Sequence, residues 1–109
     1  METNPVKIIN NILGEMAEIG DWSTICDAIQ ANGRRAHLAS REDIMSILVA
    51  IKESPDVSIG RFDGEFQDLP PDWEPSEVTA EIFSDPQPDG AMMEVLIRPT
   101  GAWPQPVEL

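Results

Sequence analysis

One cysteine, one histidine and a large excess of carboxylates make up the reactive inventory of this chain. A thiol nucleophile needs a base within hydrogen-bond reach, so that chemistry would require Cys26 and His37 to meet. Cys26 follows Ile25 in a short apolar stretch, and free cysteines are among the most buried residue types. His37 lies in a connector close to Arg35 and Leu38. Carboxylate pairs can do acid–base work, but with twenty Asp and Glu in 109 residues any one pair says little. A glycine-rich phosphate loop is absent from the sequence. Asp63 and Glu65 flank Gly64, and Asp85 and Asp89 flank a short loop. Neither follows the calcium-loop pattern of alternating ligands closed by a distant Glu. The expectation is a protein that is not an enzyme, with no cofactor and no metal site.

Charge is the dominant compositional signal: twenty acids against seven bases, net −13. It is also lopsided. Residues 1–54 carry eight acids and five bases, whereas residues 55–109 carry twelve acids and two bases. Ten carboxylates lie between Arg61 and Arg98 without an intervening Lys or Arg. Such a field repels phosphate and steers basic partners, although an acidic face also serves solubility alone.

The elements that must position these groups come from periodicity and capping. Ile44, Ile47, Leu48 and Ile51 fall at i, i+3, i+4 and i+7, one face of a helix over Ser40–Ser54. Ser40 with Asp43 forms a capping-box variant, and Pro55 forbids continuation. Met45 and Val49 widen the stripe, which predicts that this helix is covered on more than one side. An earlier helix runs from Pro5, capped by Asn4, to Ile19 before Gly20, with Ile9, Ile12, Leu13, Met16 and Ile19 inward. A shorter one starts near Ser23 and stops at Asn32-Gly33, with Ile25, Ala28 and Ile29 inward.

Beyond Pro55 the pattern alternates. Val57 and Ile59 lead across Asp63-Gly64 to Phe66, a hairpin with a favoured type I′ turn pair. Residues 69–75, LPPDWEP, hold three prolines and read as a loop. Val78, Ala80 and Ile82 then alternate against Met93, Val95 and Ile97, predicting a second hairpin. Residues 99–109 form an extended proline-rich tail with Trp103 docked on the body. The chain is read as a single α+β domain: a helical part over 5–54, a β part over 57–98 and the tail.

Three helices followed by strand pairs resembles a winged helix-turn-helix domain over residues 5–68, with VSIGRFDGEF beginning the wing. That resemblance implies DNA binding through Arg34, Arg35, Arg41 and Lys52 on phosphates. Residues 34–52 carry a net +2. The outward positions of the third helix, Arg41, Asp43, Ser46, Ala50 and Glu53, are a poor set for reading base edges. In size and charge the chain is also similar to small phage-encoded inhibitors and bacterial immunity proteins.

The preferred reading is therefore an acidic inhibitor or adaptor that binds a basic protein surface, including one built for nucleic acid. Asp63, Glu65, Asp68, Asp72, Glu74 and Glu77 are its candidate contacts, with Trp73 as an apolar anchor. A winged-helix transcriptional regulator ranks second. No run of 18 apolar residues exists to span a membrane, and the stretch METNPVKIINNILGEM has no signal-peptide core. With a single cysteine, these features predict a cytoplasmic protein.

Overall fold

In the computed structural model, which describes residues 4–103, the Asn4 side chain accepts from the Val6 N–H at 3.0 Å and starts α1 (Pro5–Ile19). Pro5 occupies the first turn, where its missing N–H costs nothing. A two-residue strand, β1 (Ser23–Thr24), leads into α2 (Ile25–Ala31). The cap of α2 is Thr24 rather than Ser23. Its Oγ1 accepts from the Asp27 N–H at 3.2 Å, and the Asp27 carboxylate accepts from the Thr24 N–H at 3.1 Å. At the other end Gly33 takes the left-handed conformation (φ 85°). The Gly33 and Arg34 N–H groups then donate to the Gln30 and Ile29 carbonyls, the paired bonds of a Schellman motif.

After a 3-10 turn at Ala36–Leu38, α3 (Arg41–Glu53) begins as its sequence predicts. Ser40 Oγ accepts from Asp43 N at 3.1 Å, and the Asp43 carboxylate accepts from Ser40 N at 3.0 Å. The hairpin follows as β2 (Val57–Phe62) and β3 (Phe66–Asp68), with Phe62 facing Phe66. Its turn is not type I′, which needs two consecutive left-handed residues. Gly64 has φ 75°, but no described non-glycine residue has a positive φ.

The second hairpin is not formed, and this corrects the sequence reading. Two helices occupy most of residues 75–93 instead, α4 (Pro75–Ser84) and α5 (Pro88–Met93), followed by β4 (Leu96–Pro99). Val78 and Ile82 are buried one helical turn apart, with Thr79 beside them, whereas Ala80 is exposed. The second half is therefore not all β. The architecture is α+β with helices interleaved among the strands of one antiparallel sheet, in the order β1–β4–β2–β3. β4 enters between β1 and β2, so that Ile97 faces Ser23 on one side and Ile59 on the other.

α3 packs against α1, α2, α4 and β2, which makes it the central element. Ile8, Ile12 and Met16 of α1 meet Ile25 and Ile29 of α2, Ile44, Ile47 and Leu48 of α3, Ile82 of α4, and Ile97 of β4 in one core. Fully burying each such side chain contributes about 1.5–3 kcal/mol. Two expectations about facing are corrected. In α1 the buried stripe includes Ile8 and Ala17, while Leu13 is half-buried and Ile19 is 52% exposed. Ala50, expected outward on α3, is buried where α3 meets its neighbours. At the chain's far end Pro99 pairs with Val57, Thr100 N donates to the Asp56 carbonyl, and Trp103 is half-buried against the core. The rest of the expected tail, residues 104–109, lies outside the described residues.

Candidate partner-binding groove

Lys52, on the last turn of α3, fixes the loop that the three prolines define. Its Nζ donates to the Pro71 carbonyl at 2.9 Å and to the Trp73 carbonyl, and lies 4.9 Å from the centroid of the Trp73 ring. Trp73 N closes a turn onto the Pro70 carbonyl at 2.9 Å. The half-buried indole thereby packs on the core and also lines a groove of 240 Å³. Leu69, Pro70 and Asp72 complete the loop wall of that groove, and Glu74, Glu77, Val78 and Glu81 form the wall at α4. Arg61 of β2 reaches in from the sheet and pairs with Glu81 at 2.7 Å. Both side chains of that pair are well exposed, so it contributes under about 1 kcal/mol.

Four of the seven expected contact residues, Asp72, Trp73, Glu74 and Glu77, meet at this groove. Glu81 joins them and was missed. It stands one helical turn beyond Glu77, a relationship hidden while the segment reads as a strand. Asp68 points elsewhere: its carboxylate accepts from Arg98 at 2.8 Å and from Ser58 Oγ at 3.1 Å on the open face of the sheet. Asp63 and Glu65 are exposed at the hairpin tip, where Gln67 Nε2 donates to Glu65 at 3.1 Å.

The basic candidates are dispersed. Arg34 and Arg35 are exposed beyond the end of α2. The Arg41 guanidinium stacks on Phe83, 5.0 Å from the ring centroid, and Lys52 is committed to the loop. Among the reactive side chains, Cys26 Sγ donates to the Asp89 carbonyl at 3.5 Å. Burial pushes the thiol pKa up, and the Asp27 and Asp89 carboxylates push it the same way, which disfavours a thiolate. His37 is exposed in the 3-10 turn. Among the described residues no three His, Cys, Asp or Glu side chains converge as a metal site.

The open face of the sheet carries a second feature. Phe62 and Phe66, side by side across the hairpin, approach Trp22 at 6.4 Å and 5.2 Å between ring centroids. The Arg98 guanidinium also lies over the Phe66 ring, 4.6 Å from its centroid.

No described helix is long and apolar enough to cross a membrane. No protein-family model, curated protein or solved structure matches the chain.

Proposed function

We propose that this protein is a non-enzymatic interaction module whose acidic groove binds a basic protein surface, acting as an inhibitor or adaptor. One observation carries the reading. Arg61 and Arg98 are the two cations after residue 55, and each is held by a carboxylate of the fold, Glu81 and Asp68 respectively. Asp72, Glu74 and Glu77 are left exposed beside the apolar lining of Val78, Leu69 and Trp73. Carboxylates in such a setting steer a cationic partner, and a half-buried indole among them supplies contact area. Asp63 and Glu65 at the hairpin tip extend the same field.

Reversing the groove charges with Asp72→Lys, Glu74→Lys and Glu77→Lys tests this. The triple variant loses binding to a basic probe and keeps its helical circular dichroism. Unchanged binding would reduce the acidic face to a solubility device.

A winged-helix regulator is the second reading, favoured by the order of α1, α2 and α3 before the β2–β3 hairpin and by the exposed Arg34–Arg35 pair. It ranks lower because Arg41 and Lys52 would have to leave Phe83 and the Trp73 loop to reach phosphates. Titration of a fluorescein-labelled random DNA duplex at low salt separates the two, since non-specific binding is strongest there. The interaction-module reading predicts no saturable binding, whereas saturation that weakens with salt would reverse the ranking.

A further inference from the structure

Two of the large apolar side chains that the fold leaves exposed, Phe62 (62%) and Met93 (61%), line one surface depression of 360 Å³ together with Leu96. Phe62 belongs to the end of β2 and Met93 to the end of α5, so two distant segments bring them together. The Trp22 and Phe66 rings continue the apolar surface beside Phe62. Contiguous exposed apolar area of this kind, rimmed by charge, marks docking sites more often than scattered single residues do.

The rim states what the occupant is. Arg61 and Glu94 line the same depression, and both also line an adjoining one with Glu81 and Asp85. Arg61 lines the acidic groove as well. The three depressions therefore meet at one side chain, whose charge Glu81 already neutralises at 2.7 Å. With Arg61 neutralised, the field beside the Phe62–Met93 patch is that of the Glu94 carboxylate on its rim and the Asp85 carboxylate in the adjoining depression. An acidic or neutral apolar segment would leave that field unanswered, and a second copy of this chain would add its own net −13 to it.

We propose that the Phe62–Met93 depression and the acid-lined groove meeting it at Arg61 form one docking surface for a basic amphipathic segment of a partner protein. A large apolar side chain seats between Phe62 and Met93, and Lys or Arg side chains of the same segment pair with Glu94 on the rim and with Asp85 in the adjoining depression. This deepens the interaction-module reading and rests on it: the groove supplies steering, and the apolar seat supplies residence time.

The test uses the full chain and two fluorescein-labelled probes of equal positive charge, an amphipathic Leu/Lys peptide and an oligolysine. The wild type is expected to bind the Leu/Lys peptide at least about tenfold more tightly. The Phe62→Ser/Met93→Gln variant leaves the buried core untouched and is expected to bind both probes equally while keeping wild-type oligolysine affinity and wild-type far-UV circular dichroism, with Tm lowered only by the lost Phe62 contacts to Trp22 and Phe66. If the variant binds the Leu/Lys peptide as tightly as the wild type, the apolar seat is overturned while the acidic groove stands. If the wild type binds neither probe at low salt, the underlying interaction reading fails first. A wild type that dimerises in sedimentation, with a monomeric double variant, would assign the patch to self-association and overturn the proposal.

Discussion

The Lys52 ammonium lies 4.9 Å from the centroid of the Trp73 indole and donates to the Trp73 carbonyl. The last turn of α3 is thereby tied to the loop that walls the groove. A cation that the DNA-binding reading assigns to phosphate is instead a structural tether. The same contact holds Trp73 in the groove lining, so α3 serves the candidate site without facing it.

Replacing Lys52 by Met keeps the aliphatic stem and removes the donors. Two carbonyl bonds and one cation–π contact at an exposed site predict a loss of about 1–2 kcal/mol. Urea unfolding reads the stability, and near-UV circular dichroism reads the Trp73 environment. Wild-type behaviour in both would show that the tether does not hold the loop.

Gly60 makes a second demand. A Cβ there would stand 2.6 Å from Cε1 of the Phe66 ring and would also collide with the Gln67 carbonyl oxygen. Phe66 covers the glycine, a device that shields a bare strand backbone. Gly60→Ala is predicted to cost about 2–3 kcal/mol through overpacking. Adding Phe66→Ala relieves only part of that strain, because the backbone of Gln67 cannot yield. A full rescue by the double variant in denaturant titration would place the whole strain in the ring.

Glu15 on α1 has its pKa raised, first by burial and then by the Asp27 and Glu18 carboxylates. Folding therefore favours its neutral form relative to the unfolded chain. Stability from this group is complete below the ordinary carboxylate pKa and is lost as pH rises through the raised one. Glu15→Gln is accordingly predicted to match the wild type below about pH 4 and to exceed its Tm near neutrality. A constant Tm difference across that range would contradict the assignment.

Much of the helical half was legible because its signals are local. Asn4, Ser40 and Asp43, Gly33 and Pro55 each act on backbone groups within one turn, and the Ile44–Ile51 stripe repeats often enough to fix its period. Residues 75–93 misled for a physical reason. Val78 and Ile82 satisfy both a strand period and a helical turn, and helices of ten and six residues offer few repeats to decide between them. The signal available was Pro75 and Pro88, which read as loop markers yet sit in the first turns of α4 and α5. β1 was out of reach, since two residues become a strand only through pairing with Leu96 and Ile97. The groove followed the same division. Asp72, Trp73, Glu74 and Glu77 were readable as neighbours in sequence, whereas Arg61 and Glu81 meet only through the ion pair that the fold forms between β2 and α4.

The central claim is that the groove, rather than bulk charge, holds a basic partner. Anisotropy of a fluorescein-labelled oligolysine at low salt tests it with two variants of identical net charge. One carries Asp72→Lys and Glu77→Lys; the other carries Glu18→Lys and Glu42→Lys, exposed positions on the helical half outside the groove lining. The account predicts that the groove variant loses about tenfold or more in affinity while the distant variant loses only about twofold, as local fields outweigh screened remote ones. Equal losses in the two variants would contradict it, because the peptide would then be sensing total charge alone.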